Sequence, residues 1–449
     1  MKALGIDIGS SSIKGAVLDL DSASVGNPVT HTFPAPVSGL PVGWYEVDPF
    51  QVCHATKKVL ATLCEQAPDA ELLCISGQMG GLILIDDRSE PLTNYISWRD
   101  QRTREPLDGT QPYLEHVRQC WQAANHLSEL GNELQAGSTA ALMGWFSRKG
   151  TVPQHAQPAT IGDFVIGQLV GHPVPMHATQ AIGMLDLQQS QWHRPALHEL
   201  GLDDPKLPEL ELHEQCVGVV KFQQQSLRVF GAYGDQQCAL RGAKLQTGEL
   251  SLNISTGSQV SRRVSHFQPG PFQSRKYFFG DTLDTVTHLP AGRSLNVFVD
   301  LLTELARAQN LSLLDPWATI TQLIANVSDT DLSVNPAFFP GPMGERGTIE
   351  NISTDNLTVG TLFHATFRSM ADNYASIAER FAPASWSQVV LTGGLTQRAP
   401  RLRELLQERF SSPIRESVGE ETLAGLLDIA RDAAASLSVT KFEASGIMR

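Results

Sequence analysis

Two α/β lobes around a central cleft are what this sequence predicts, on three observations. Its 449 residues are too many for one ordinary hydrophobic core. A strand–turn–strand pattern opens the chain and returns near residue 250. Stretches of helical period alternate with strand-like apolar runs, the order expected of an α/β architecture.

The elements follow in chain order. Residues 3–8 are apolar up to Asp7, residues 9–12 are a small polar turn, and residues 13–20 are again mostly apolar, which predicts a β-hairpin. In 49–65 apolar residues recur at three and four, as on one face of a helix. Two further apolar runs, 72–75 and 82–85, are separated by Ser76-Gly77-Gln78. Residues 227–233 read as a strand ending at Gly234-Asp235, and 249–264 as strand, turn, strand. The expected domain division therefore falls near 229, giving lobes 1–229 and 230–449. Residues 269–279 carry Gly and Pro without period and are expected to form a loop. Helical spacing returns in 357–381 and 399–410; Thr358 is placed to cap the first, and Pro400 suits the first turn of the second.

Composition excludes several functions. With 41% hydrophobic and 18% charged residues the chain has the balance of a globular protein. A formal net charge of -13 and no basic stripe argue against nucleic acid as a partner. Six cysteines form no C-x-x-C pair, so neither a zinc site nor a disulfide scaffold is signalled. The histidines, His177 among them, lack ligand spacing and are expected to be surface or packing residues. No long apolar run and no leader pattern precede the first strand, so a cytoplasmic location without a membrane partner is expected. G-x-x-x-x-G-K-[ST], G-x-G-x-x-G after a strand and G-x-S-x-G are all absent.

Five stretches are able to carry chemistry. In Gly5-Ile6-Asp7-Ile8-Gly9-Ser10-Ser11-Ser12-Ile13-Lys14 a glycine–serine bend offers backbone N–H groups and hydroxyls to an anion, while Asp7 is suited to orient Mg²⁺ or its water shell. Taken alone it equally suits a plain hairpin with a polar tip. Asn253-Ile254-Ser255-Thr256-Gly257-Ser258 is a second bend of this kind, and two such bends opening two halves of a chain form opposed jaws around a nucleotide. In Gly234-Asp235-Gln236-Gln237 a carboxylate follows a strand and a glycine, as a base for a sugar hydroxyl would; an Asx turn is the alternative. Val390-Leu391-Thr392-Gly393-Gly394 breaks a strand into paired glycines, against which a base or ribose can lie, or a bland connection can form. Trp98-Arg99-Asp100-Gln101-Arg102 mixes an aromatic with charges, suited to a sugar or to a solvated ion-pair cluster.

Taken with the runs at 43–49 (GWYEVDP), 75–81 (ISGQMGG), 96–102 (ISWRDQR), 162–171 (GDFVIGQLVG), 340–347 (PGPMGERG) and 391–395 (LTGGL), these stretches resemble the FGGY carbohydrate kinases nearly end to end. The resemblance implies two ribonuclease-H-like domains of the actin and hexokinase type, a sugar-binding N-terminal one and a nucleotide-binding C-terminal one. It implies an ATP-dependent kinase with Mg²⁺, a small-molecule sugar partner and a monomer or homodimer. Through ISGQMGG, NISTGSQ and Met343-Gly344-Glu345-Arg346 it implies phosphorylation of sedoheptulose at its terminal C7 hydroxyl. Carried onto matching positions, Asp235 is the base; Gln78, Met79, Gly80, Asp100 and Gln236 frame the sugar with it. Gly9, Ser10, Ser11, Ser12, Lys14, Thr256, Gly257, Gly292, Gly393, Gly394 and Arg398 contact the nucleotide, and Asp7 and Asp235 face the metal. Two departures stand out: Gly80 replaces the His usual in members acting on xylulose or heptuloses, and 176–181 lacks the Asp or Ser-Asn-Ala pattern common there. They leave room for another ketose or polyol, xylulose or ribulose among them, and for a sugar- and nucleotide-binding sensor of weak turnover.

Overall fold

A Gly-Ser bend folds the start of the chain into Lys2–Ile8 (β1) and Ser12–Asp19 (β2), paired antiparallel from Lys2 with Asp19 to Ile8 with Ile13. This is a computed structural model, and it describes residues 1–107, 109, 111–153, 155–381, 385–417 and 419–446. The short strands Ser24–Val25 (β3) and Val29–Thr32 (β4) both pair with β2. On the far side of β1 lies Leu72–Gly77 (β5), parallel and buried along its whole length, as a central strand covered on both faces must be. Cys216–Phe222 (β6) and Gln225–Gly234 (β7) complete a seven-stranded sheet of order β6-β7-β5-β1-β2-β3, with β4 also on β2. Position 229 lies inside β7, which stays paired with β5 as far as Gly234. The apolar run after the Ser76-Gly77-Gln78 break leaves this sheet: Ile83–Ile85 pairs instead with Gln157–Ala159.

The second half repeats the plan. Glu249–Ile254 (β8) and Ser258–Val264 (β9) form a hairpin, followed by Gln273–Lys276 (β10), Thr282–Leu289 (β11), Gln388–Thr392 (β12) and Ile414–Glu416 (β13). The six-stranded sheet has the order β10-β11-β9-β8-β12-β13. In one sheet an antiparallel β2–β1 pair continues into parallel β5 and β7; in the other β9–β8 continues into parallel β12 and β13. The two polar bends thus occupy equivalent corners. Strand β10 corrects the expectation of a loop over 269–279, because its Gln273 to Lys276 pair with Thr285 to Thr282 of β11 and the partner, not the local pattern, confers the strand.

Helices Pro49–Gln66 (α1) and Ile161–Val170 (α2) cover one face of the first sheet, sharing a core with Leu4, Ile6, Leu73 and Val229. Asp48 caps α1 by accepting from the Phe50 N–H, and Thr160 with Asp163 forms a capping box on α2. Two helices run between the sheets: Asp235–Gly242 (α3), which begins where β7 ends, and Glu421–Gly446 (α7). Their core joins Leu72 and Phe230 of the first sheet to Leu283 and Val390 of the second through Leu240 and Leu426. At the α3–α7 crossing a Cβ on Gly242 would stand 1.9 Å from the Glu421 carbonyl oxygen, and one on Gly425 2.0 Å from that of Cys238, so only glycines permit the approach. Gly292–Ala308 (α4), Val359–Ala378 (α5) and Pro400–Arg409 (α6) complete the second lobe. No described helix is long and apolar enough to cross a membrane.

The first lobe also carries a helical insert cored by Trp121, Trp145 and Leu142. Its loop at 131–133 reaches the second sheet: the Ser274 N–H donates to the Gly131 carbonyl at 2.8 Å, Asn132 donates to the Gly270 and Phe272 carbonyls, and Glu133 pairs with Arg275.

Candidate active site

Three parallel strands end at one level. In β1, β5 and β7 Asp7 is opposite Ser76, Ile8 opposite Gly77, and Gly77 opposite Gly234. The register therefore brings the end of β1, the start of the ISGQMGG break and the first residue of α3 together. Ser76 donates to Asp7 Oδ1 at 3.0 Å, and the Gln78 N–H donates to the Ile8 carbonyl at 3.0 Å. Asp235, a partly buried residue, opens α3, and its carboxylate accepts the Gln236 N–H at 2.7 Å.

Burial, then the neighbouring Asp235 charge, pushes the Asp7 carboxyl up to about 7. Burial likewise raises Asp235 to about 6, against the Gln236 N–H and the Arg275 guanidinium, which favour its ionised form. Two buried carboxyls at neighbouring strand ends resist ionising together unless a cation joins them. Lys14, opposite Asp7 in the hairpin register, is drawn off by Glu420 just before α7, at 2.8 and 3.0 Å.

The sugar-side residues divide. Gln78 is buried with its Nε2 without a hydrogen-bond partner, and Met79 lies against Gly234, where a Cβ would meet its Sδ at 2.7 Å. Gly80 has φ +73 and sits against Trp98. Asp100, expected to accept from sugar hydroxyls, is wholly buried and accepts instead from the Tyr45 N–H at 2.7 Å and from Arg102 N, Nε and Nη2 at 2.8 to 2.9 Å. Its ion pair with Arg102, shared with Glu46, is buried and not the solvated cluster weighed from sequence. Gln236 is also committed: its Nε2 donates to Gln259, Ser261 and Thr285 of the second sheet, and its Oε1 accepts from Arg275. These two side chains build the walls and do not open to a ligand.

The second jaw is Ser255-Thr256-Gly257, exposed at the tip of the β8–β9 hairpin. The Gly292 N–H, in the first turn of α4, donates to the Ser255 carbonyl at 3.0 Å, and that of Arg293 to the Thr256 carbonyl at 2.8 Å. Since β12 runs parallel to β8, Gly393 and Gly394 emerge beside this bend; Gly393 has φ +86, and a Cβ there would stand 2.4 Å from the Ile254 carbonyl oxygen. Arg398 is exposed at the end of the short helix Leu395–Arg398, which follows these glycines. Gly9, Ser10, Ser11 and Ser12 form the opposing bend, with only Ser11 fully exposed. Gln236, next to Asp235, reaches the second hairpin by bonding Gln259, two residues past Gly257.

Sequence reasoning missed three members. Ser76 and Arg275 act only through contacts distant in the chain. Arg99 lies within a quoted run, yet nothing local shows that its Nη2 donates to Ser10 Oγ at 2.7 Å. Apart from these, His126, Glu129 and His193 have ligand atoms within 4.8 Å of one another in the helical insert. His193 Nδ1 accepts from the Ala196 N–H at 3.2 Å, which puts its proton on Nε2, where it is donated to Glu129 at 2.8 Å. That is a hydrogen-bonded packing triad.

A duplicated hairpin-plus-parallel sheet with a polar bend at each corner and helices between is the two-domain fold of the actin/hexokinase class. Residues 2–242 match the N-terminal domain of the FGGY family of carbohydrate kinases, and the chain belongs to that family. It is similar to human sedoheptulokinase, at 24% identity with 94% of this chain and 95% of that protein covered. Among solved structures, the xylulose kinase from Rhodospirillum rubrum superposes with a TM-score of 0.83 at 19% identity, over 97% of this chain and 90% of that one. Plasmodium falciparum glycerol kinase with ADP gives 0.80 at 17% identity, over 95% and 88%.

Proposed function

We propose that this carbohydrate kinase transfers the γ-phosphoryl group of ATP to the terminal C7 hydroxyl of sedoheptulose. The observation that carries the chemistry is the Asp7–Asp235 pair at the strand ends between two anion-gripping bends. The choice of sugar is supported by the nearly full-length similarity to human sedoheptulokinase. Asp235 takes the hydroxyl proton as the sugar oxygen bonds to the γ-phosphorus, the bond from phosphorus to the β–γ bridging oxygen breaks, and ADP leaves. The Gln78 Nε2, buried and unpartnered, is suited to bond a sugar hydroxyl. The bends at 9–12 and 255–257 grip the phosphates, and Gly393 and Gly394 receive the base or ribose.

Two adjacent carboxylates with raised pKa values fit a divalent ion. Asp7 and Asp235 would hold Mg²⁺, which supplies charge neutralisation on the phosphate oxygens when bound. The first lobe, whose sheet runs through Gly234 and so past the division expected at 229, binds the sugar and the second binds the nucleotide, in a chain acting in the cytoplasm.

ADP release is to be measured with sedoheptulose, xylulose, ribulose, gluconate and glycerol. The expected result is highest kcat/KM for sedoheptulose; preference for another acceptor overturns the substrate, and sugar binding without turnover favours a sensor. Asp235→Asn should lower kcat by roughly 10²–10⁴-fold while nucleotide affinity holds.

A further inference from the structure

The geometry points to Arg99 as a further catalytic residue, a guanidinium that reaches the transferring phosphoryl group from the sugar lobe. It rests on the kinase reading above. Arg99 Nη2 donates to Ser10 Oγ in the first phosphate-facing bend, at 2.7 Å. The guanidinium lies 5.6 Å from the Tyr45 ring centroid and 5.5 Å from that of Trp98, so two aromatic side chains fix its direction. The nearby carboxylates are already taken: Asp100 and Glu46 are engaged by Arg102. Among the described residues Arg99 forms no ion pair, which leaves most of its five N–H donors for an anion.

The mounting is rigid. Beneath Arg99, Asp100 binds the backbone on both sides, at the Tyr45 and Arg102 N–H groups, and the Ser97 N–H donates to the Tyr45 carbonyl at 2.9 Å. Asp100 is thus a positioning residue for its neighbour. Trp98, against which Gly80 packs, holds the same strip at the rim. A planar cation held on the bend that grips phosphate is suited to the charge that spreads over the equatorial oxygens in transfer.

Two measurements test this with wild type, Arg99→Ala and Arg99→Lys. Titration of Mg-ADP is run with and without aluminium fluoride, which mimics the transferring phosphoryl. Wild type should bind Mg-ADP and tighten with fluoride. Arg99→Ala should keep its Mg-ADP affinity within about twofold and lose most of the tightening, and Arg99→Lys should restore little because it lacks the fork. In sugar-dependent ADP release, kcat should fall about 10²–10³-fold in Arg99→Ala with the sugar KM little changed. Failure of wild type to bind Mg-ADP overturns the kinase reading itself. Mg-ADP binding without fluoride tightening in wild type, or with equal tightening in Arg99→Ala, overturns Arg99 alone. So does a rise in sugar KM at constant kcat, which would make Arg99 a sugar ligand.

Discussion

Asp235 shows how one residue sets function against stability. Its carboxyl is raised from 3.8 to about 6 by burial, so ionising it costs the fold. The contribution is fully present below pH 3.8 and is lost as pH rises through about 6. In the metal-free protein Asp235→Asn should therefore raise stability at pH 8 by up to about 3 kcal/mol and leave it unchanged near pH 3.5, by thermal melts at both pH values. Equal shifts at both pH values would show that the carboxylate is not strained by burial. The Gly-Asp signal at 234–235 was legible because a carboxylate after a strand end and a glycine is a local pattern. The burial of Asp100 and the commitment of Gln236 were not, since their partners at Tyr45, Glu46, Thr285 and Arg275 are set by tertiary packing.

Elements with their own caps and period were the most readable. Val359–Ala378 begins at Thr358, whose hydroxyl accepts the Thr361 N–H at 3.3 Å while the Thr361 hydroxyl accepts the Thr358 N–H at 3.1 Å. Thr358→Ala should cost about 1 kcal/mol, seen as a lower urea midpoint at unchanged slope. Pro400 stands in the first turn of α6 for the reason given by its missing N–H. Strand β10 lacked any such local mark; four residues of Gln, Ser, Arg and Lys become a strand only because β11 offers an edge. The hairpins at 2–19 and 249–264 were readable because each bend is built from residues that favour tight turns.

At the scale of the molecule, the duplicated plan was visible in the recurrence of a hairpin, whereas the contact that ties the insert to the second sheet was not. Glu133 and Arg275, both buried, form an ion pair across the lobes, and Arg275 also donates to Gln236 beside Asp235. Arg275→Ala leaves the buried Glu133 carboxylate without its cation, with only the Gln273 amide donating to it, and should destabilise by about 3–5 kcal/mol, measured by denaturant unfolding. It should also raise the Asp235 pKa, by removing the cation that favours its ionised form. A loss below 1 kcal/mol would mean that water reaches Glu133 and solvates it.

Where α3 crosses α7, backbone meets backbone at Gly242 and Gly425, with Leu240, Leu423 and Leu426 packed around the crossing. So tight a joint has no slack for even one methyl group. A side chain at either glycine would act as a wedge, prising apart the two rods and the sheets that rest on them.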